Sequence, residues 1–202
     1  TTVLAAADPG AAVGFLQPGS MMTLSGSRTL TLMADGVDRI RWRIERIRDP
    51  YLALTAQNWR AHETVTNAEA LSEAADGVIP VAAGRRFASL PLDEAKLPGG
   101  RAGLFQITLT GEKKTKDGWG VAAIAAKRVL VTDTALIAKT SRDDSHVVHA
   151  ADLVRGVPAA GLRAVLLGAN GVPLETVTTD ETGAARFATT RGLEREKAPA
   201  AV

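Results

Sequence analysis

Residues 39–44 read Arg-Ile-Arg-Trp-Arg-Ile, the clearest periodic pattern in the chain. Apolar and basic residues alternate with a period of two, which is typical of a β-strand with one face on a core and the other in solvent. The side chains predicted to pack inward are those of Ile40, Trp42 and Ile44. The side chains predicted to face outward are those of Arg39, Arg41 and Arg43. We interpret the arginines as a solvated sheet face, with a binding face for an anion or an acidic partner as the alternative.

Short apolar runs bounded by turn residues indicate further strands in the first half of the chain. The predicted strands are residues 29–32, 78–81, 85–90, 104–110 and 119–131. Asp35-Gly36 predicts a turn, and the charged residues 113–118 predict the turn of a hairpin.

Two short helices are predicted as insertions between these strands. The first spans residues 49–59, because Asp49 suits the N-cap and Pro50 suits the first helical position. The second spans residues 67–76 and ends at Gly77. Neither insertion produces the repeating strand–helix–strand pattern of a parallel sheet.

The second half of the chain contains short strands separated by turns. The predicted strands are residues 135–139, 146–154, 162–167, 172–178 and 184–188. Asn170-Gly171 lies between two of them and predicts a hairpin, since both residues tolerate positive φ. An Ig-like sandwich has about seven strands. We therefore expect the second sandwich to be incomplete, because the chain is a fragment or because another segment completes the sheet.

These patterns predict a mainly β protein with two antiparallel Ig-like β-sandwich domains, the first with short helical insertions. Residues 1–20 are rich in glycine and small residues, and we expect a linker or the tail of a preceding domain. The first sandwich is predicted over residues 21–132. The second, truncated at its C-terminus, is predicted over residues 133–202.

Composition excludes several classes of protein. The 24 lysines and arginines nearly balance 22 aspartates and glutamates, and aromatic residues make up only 4%. The clustered basic and stacking residues of a nucleic-acid-binding protein are therefore missing. With no cysteine, the chain cannot carry a disulfide scaffold or a thiol nucleophile. Residues 1–14 lack a signal-peptide pattern, so we expect that a targeting segment was removed or that the chain is an internal piece.

No pattern in the chain predicts a catalytic, cofactor-binding or metal site. His146 and His149 lie three apart on a predicted strand, so their side chains point to opposite faces. That spacing suits metal ligands on a helix but not on a strand. His62 lies in a polar loop.

Other polar motifs are also interpreted as structural. Gly118-Trp119-Gly120 loosely fits a dinucleotide-binding fingerprint, but a charged turn precedes it and no helix pattern follows. Asp180 and Glu181 form a carboxylate pair in a predicted turn with no third acid nearby. The roles of Trp59 and Trp119 stay undetermined, as ligand aromatics or as packing.

Residues 156–161 read G-V-P-A-A-G, and residues 178–187 read T-T-D-E-T-G-A-A-R-F. A G-x-P-x-x-G turn, an alternating strand and a T-D-x-x-G-x-A-x-F segment resemble those of extracellular Ig-like and transthyretin-like modules. Glycine and proline form the turns. The second turn starts at Thr179-Asp180 and closes at Gly183, and Phe187 enters the core.

Residues 129–139 read V-L-V-T-D-T-A-L-I-A-K. This stretch resembles the V-T-D-x-x-L segment that enters such a domain in bacterial alpha-2-macroglobulins. Residues 30–47 resemble the preceding macroglobulin domain, in which a Leu/Thr-rich strand leads to an alternating strand and then a short helix after proline. The resemblance covers residues 20–202 and indicates two consecutive macroglobulin domains from the N-terminal half of such a protein.

The resemblance implies a large periplasmic or envelope protein of bacteria that inhibits a broad range of endopeptidases by trapping them. In that family the protease cuts a bait region, and many members carry a thioester built from a C-x-E-Q motif, which this sequence lacks. The implied role is a non-catalytic scaffold without a cofactor. Its partners would be neighbouring macroglobulin domains, and proteases through the parent protein, with no nucleic acid and no membrane insertion by this segment. The alternatives are a tandem Ig-like stalk of a bacterial surface adhesin and an accessory β-domain of a secreted enzyme.

Overall fold

A computed structural model describes residues 10–57, 67–93, 97–100 and 102–201 of the chain. These residues divide into two compact units. The first contains the described residues up to Ile47 and those from 67 to Val131. The second contains those from Arg48 to Gln57 and from Thr132 onward. Both are built from strands in nearly all-antiparallel sheets, which confirms the predicted mainly β fold class.

The first unit consists of two β-sheets. Its strands are β1 (Ala12–Phe15), β2 (Met21–Met22), β3 (Thr29–Asp35), β4 (Arg39–Ile47), β5 (Leu71–Pro80), β6 (Phe87–Pro91), β7 (Gly103–Thr115) and β8 (Gly118–Val131). The larger sheet has the order β2-β8-β7-β4-β5, and the smaller has the order β1-β3-β6. β2 pairs with β8 in parallel, and every other described pairing in this unit is antiparallel.

Both sheets contribute side chains to the core of the first unit. Leu32 of the smaller sheet and Ile40, Ile44 and Leu109 of the larger sheet are fully buried in one cluster. Trp42 is partly buried against the same cluster, so the alternation predicted for β4 is confirmed. Burying each large aliphatic side chain contributes about 1.5–3 kcal/mol to stability.

Residues 67–76, predicted to be helical, lead into and form most of a strand. A single 3-10 turn at Ala68–Ala70, capped by the Asn67 side chain, precedes β5. β5 pairs with β4 along its length, and this tertiary pairing overrides the helix preference of its alanine and glutamate residues. Gly77 lies opposite Trp42, and a Cβ there would come within 2.5 Å of the indole ring. Glycine at this position therefore makes room for the indole beside β5.

Residues 1–20 were predicted to be a linker or the tail of a preceding domain. This prediction is wrong for Ala12–Phe15, which form strand β1 of the first unit. This strand pairs with β3 through four residues, from Ala12↔Asp35 to Phe15↔Leu32. Strand β1 is short and contains glycine, so no long alternating pattern marked it. Residues 1–9 lie outside the described part of the chain.

The segment that follows β4 belongs to the second unit, so the first unit is not the continuous stretch that was predicted. A 3-10 turn at Asp49–Tyr51 leads into helix α1 (Leu52–Gln57). Arg48 occupies the N-cap position, and the predicted N-cap role of Asp49 is wrong. The predicted end of this helix, residues 58–59, lies outside the described residues. No helix in the described ranges is long and apolar enough to span a membrane.

The second unit contains two small sheets. Its strands are β9 (Thr134–Thr140), β10 (His146–Asp152), β11 (Val157–Pro158), β12 (Arg163–Gly168), β13 (Pro173–Thr178), β14 (Ala184–Phe187) and β15 (Pro199–Ala201). In one sheet β10 pairs with β9, β11 and β14. In the other, β12 pairs with β13 and β15, and α1 packs against β15. The buried side chains of its core are Val148, Leu166, Ala185 and Phe187.

The sequence predicted five strands in this unit, whereas the described residues contain seven. The two that were missed, β11 and β15, have two and three residues, which is too short for a period-two pattern. The predicted count of five strands, from which we expected an incomplete sandwich, is therefore wrong. The truncation of the sandwich itself stays a prediction. The division between the units falls between Val131 and Thr132, one residue before the predicted start.

The hairpin predicted at Asn170-Gly171 joins β12 to β13. Gly171 has a φ of +77°, and its N–H donates to the carbonyl oxygen of Gly168 at 2.9 Å. Asn170 is not left-handed. Its side-chain oxygen instead accepts a hydrogen bond from the N–H of Val172 at 3.0 Å, so the two residues stabilise the turn in different ways.

The T-D-x-x-G segment forms the turn before β14. The buried Thr179 hydroxyl donates to the carbonyl oxygen of Ala159 at 2.7 Å. The Asp180 carboxylate accepts hydrogen bonds from the N–H groups of Thr182 and Ala184 at 2.8 and 3.0 Å. These side chains therefore bind the backbone, and the motif determines local structure.

Gly183 closes this turn with a φ of +75°, and a Cβ there would lie 2.3 Å from the carbonyl oxygen of Ala150. Gly161 has the same φ, with no atom within 4 Å of the Cβ position. We expect Gly161→Ala to lower the unfolding free energy by about 1–2 kcal/mol, the cost of a left-handed alanine. Gly183→Ala should lower it by clearly more. Urea denaturation measures both losses, and equal losses would contradict the close packing at Gly183.

Candidate functional site

The outer face of the larger sheet carries a buried carboxylate. Glu112 on β7 lies directly opposite Arg39 on β4 and is 1% exposed. Nε of Arg39 donates to Oε2 of Glu112 at 2.5 Å, and Nη2 of Arg41 donates to Oε1. The arginine side chains reach solvent and cover the carboxylate. The predicted arginine face therefore binds an anion that the protein itself supplies, which neither interpretation from the sequence foresaw.

A β-bulge sets this arrangement. Gly111 pairs with Ala123, whereas Glu112 pairs with Val121, so Ala122 is an extra residue on β8. One extra residue changes which face of the sheet the neighbouring side chains occupy. The bulge therefore puts Val121 on the same outer face as Glu112.

The charges around Glu112 favour its ionised form. Burial raises the pKa of this carboxyl, but the hydrogen bonds and charges of Arg39 and Arg41 outweigh burial and hold the pKa below its ordinary value of 4.5. Two guanidinium groups face one carboxylate. The cluster therefore carries an excess positive charge at neutral pH.

Trp119 completes the cluster. The guanidinium carbon of Arg39 lies 3.7 Å from the centroid of its ring, which is a cation–π contact. This contact holds the Arg39 side chain beside Glu112 and leaves the indole 44% exposed. The sequence left the role of Trp119 undetermined, and the structure shows that it packs against Arg39. Trp59 lies outside the described residues.

Glu112→Gln tests the ion pairs, because it removes the charge and keeps the shape. Since the folded-state pKa lies below 4.5, the stabilisation is complete above that pH and is lost as pH falls through the lowered pKa. We expect the variant to be less stable than the wild type by about 1–3 kcal/mol at pH 7, with a smaller difference in acid. Urea denaturation across pH measures this difference.

The control variant for Glu112→Gln is Glu181→Gln, since Glu181 is an exposed carboxylate in the second unit. This control should not change stability at any of these pH values. A loss in Glu112→Gln that does not vary with pH would contradict the ion-pair assignment.

A second buried charge lies on the core face of the same sheet. Lys127 on β8 is fully buried and shares the two-residue phase of the buried Val129 and Val131. Its Nζ donates to the main-chain oxygen of Gln17 and lies 5.8 Å from the ring centroid of Phe15. Burial lowers the pKa of Lys127. The sequence analysis did not predict that Lys127 is buried. The signal was its spacing of two and four residues from Val129 and Val131, which places all three side chains on one face of the strand.

Lys127→Met tests the cost of this buried charge. A lowered pKa means that protonated Lys127 destabilises the fold at neutral pH, and that the cost declines as pH rises towards 10.5. We expect Lys127→Met to unfold at a higher urea concentration than the wild type at pH 7, with a smaller gain at about pH 10. Lys139→Met, on the exposed part of β9, is the control that should show no gain. A destabilised Lys127→Met would mean that the bond to Gln17 outweighs the buried charge.

Of the two histidines in the second unit, His146 makes structural contacts. Nδ1 of His146 lies 3.1 Å from the Thr140 hydroxyl, and Nε2 lies 3.0 Å from the Thr190 hydroxyl. His149 is exposed on the same strand. His62 lies outside the described residues. Within the ranges that the structure describes, no group of three or more His, Asp or Glu side chains could hold a metal ion.

The remaining motifs lie in antiparallel hairpins and turns. Gly118-Trp119-Gly120 follows the β7–β8 turn and begins an antiparallel strand. A dinucleotide fingerprint instead requires a strand before it and a helix after it. Asp180 binds main-chain N–H groups, and Glu181 is exposed in the same turn.

Comparison with known proteins gives one curated relative and several similar solved structures. No protein-family profile matches the chain. The chain is 27% identical to the alpha-2-macroglobulin of Rickettsia conorii over 205 residues, which covers 94% of this chain and 11% of that protein. The chain therefore spans about a tenth of the length of this curated relative.

Solved structures show the same likeness at the level of the fold. Native alpha-2-macroglobulin of Escherichia coli, spanning domains NIE-MG1, superimposes with a TM-score of 0.65 at 17% identity, covering 95% of this chain and 96% of that chain. The trypsin-activated Escherichia coli protein gives a TM-score of 0.67 at 19% identity, over 93% of this chain and 13% of that chain. Salmonella alpha-2-macroglobulin reacted with methylamine gives 0.53 at 19% identity, over 94% and 11%. Along nearly its whole length the chain is thus similar in sequence and in fold to bacterial alpha-2-macroglobulins, and the resemblance to this family seen in the sequence is confirmed. The assignment of two consecutive macroglobulin domains stays a prediction.

Proposed function

We propose that the chain forms two consecutive non-catalytic β domains in the N-terminal half of a bacterial alpha-2-macroglobulin-like protein. The parent protein would inhibit a broad range of endopeptidases by trapping them in the periplasm or envelope. The observation that carries the proposal is the similarity to the Rickettsia conorii protein along 94% of this chain. Because that alignment includes both units, it supports a tandem arrangement within a macroglobulin more than a single generic Ig-like module.

The polar side chains that could have formed a site support a scaffold role. Glu112 binds two arginines, His146 contacts two hydroxyls, and Asp180 binds the backbone of its turn. Each of these groups holds strands or turns together. Catalysis would instead require a nucleophile and a base within reach of each other and of a substrate.

The partners of this segment would be neighbouring macroglobulin domains of the same polypeptide, and proteases through the parent protein. One structural neighbour is described as trypsin-activated, which motivates trypsin as the first protease to test. The near balance of charge argues against nucleic acid as a partner. No observation favours the adhesin stalk, since the two units differ in sheet order whereas a stalk would repeat one domain.

The proposal predicts that inhibition needs the parent protein. We expect the isolated 202-residue chain to leave trypsin activity towards a protein substrate unchanged at equimolar concentration, whereas the parent protein should reduce it stoichiometrically. The native mass of the parent, measured with and without methylamine, establishes its size and any thioester. Stoichiometric inhibition by the isolated chain, or a native mass near 21.1 kDa, would overturn the proposal.

A further inference from the structure

Exposed apolar side chains and arginine lie together on the outer face of the larger sheet. We define the outer-face patch as Arg41, Val78, Trp119, Val121 and Ile124. Their exposed fractions are 55%, 51%, 44%, 59% and 66%, in that order.

The strand register makes this patch continuous. Ile124, Thr110, Arg41 and Val78 form one cross-strand row over β8, β7, β4 and β5. Three strand spacings of about 4.8 Å make the row roughly 14 Å wide. The bulge on β8 adds Val121 and Trp119 to this face in the neighbouring rows. Contiguous exposed apolar patches often mark interaction surfaces.

The composition of the patch is that of a protein–protein interface. Tryptophan and arginine are the residues that most often dominate binding energy at interface centres. Trp119 is held in place by its contact with Arg39, and Arg39 is held by Glu112. An anchor that is ordered before binding loses less conformational freedom on binding.

Charge indicates what the partner presents. Arg39 and Arg41 share the single carboxylate of Glu112, which leaves an excess positive charge beside Trp119. Arg41 is more than half exposed, and its guanidinium has further N–H donors for a second carboxylate. A second copy of this chain docked through the same patch would instead bring like charges together. The fitting surface is therefore apolar and carries an aspartate or glutamate.

Size indicates where the partner comes from. The patch is only roughly 14 Å wide. Its area is therefore smaller than the roughly 800 Å² that each partner buries in a stable complex between separate proteins. A domain tethered in the same polypeptide needs no such area, because its effective concentration is of millimolar order. We propose that the outer-face patch is the docking surface for another domain of the same parent polypeptide, which presents an apolar surface with a carboxylate. This inference rests on the proposed function, because it requires a longer parent chain.

The test compares oxidation of Trp119 by hydroxyl radicals in the isolated chain and in the parent protein, read by mass spectrometry of peptides. For an assumed intrinsic dissociation constant of about 0.1 mM, an effective concentration of about 1 mM covers the patch about 90% of the time. We therefore expect Trp119 to be oxidised about tenfold more slowly in the parent. Trp42, partly buried within the first unit, is the internal reference and should react equally in both.

Two variants of the parent test the chemistry of the contact. Ile124→Glu, at the most exposed apolar position of the patch, should restore oxidation of Trp119 to the rate of the isolated chain, because the new carboxylate repels that of the partner and leaves the Glu112 ion pairs in place. Val78→Glu, opposite Arg41 and half exposed, should do the same while both arginines stay paired with Glu112. Arg85→Glu, at an exposed arginine outside the patch, is the matched control and should leave the protection of Trp119 intact.

The outcomes separate this inference from the proposed function. Equal oxidation of Trp119 in the isolated chain and in a parent that still inhibits trypsin would overturn the docking surface alone. Protection that persists in both Ile124→Glu and Val78→Glu would also overturn it. A native mass equal to that of this chain would overturn both proposals together.

Discussion

The antiparallel register of β4 between β5 and β7 is the constraint on which the first unit depends. It sets Ile44 opposite Ile107 and Trp42 opposite Leu109 on the core face. The same register sets Arg39 opposite Glu112 on the outer face. A slip of one residue would send the apolar set to solvent and put the arginines in the core, so the ion pairs and the core specify one alignment together.

The two units use polar side chains for different purposes. In the first unit, Glu112 joins strands across the sheet through two arginines that reach solvent. In the second, Thr179 and Asp180 bind backbone groups of a turn. Lys127 is an exception, since it is fully buried beside a main-chain oxygen and burial opposes its charge. Apart from Lys127, these side chains hold strands and turns together.

The path of the chain links the two units more than once. It leaves the first unit after Ile47, returns to it by residue 67, and leaves it again after Val131. Helix α1 therefore belongs to the second unit while it sits between strands of the first. Cutting the polypeptide near residue 132 would separate α1 from β15, the strand that it packs against. The second unit therefore needs a segment that lies within the sequence of the first.

The sequence by itself determined the features that depend on local chemistry. These are the alternation of β4, the hairpin at Asn170-Gly171, the turn that contains Asp180, and the resemblance to bacterial alpha-2-macroglobulins, because periodicity and turn residues are local signals. Only the tertiary structure decided that residues 71–76 pair as a strand beside β4. It also decided that Glu112 is buried and that Trp119 faces outward, against the phase of β8. These outcomes depend on the register of a partner strand and on one bulge, and neither can be read from a single segment, since both arise from pairing between residues far apart in the chain.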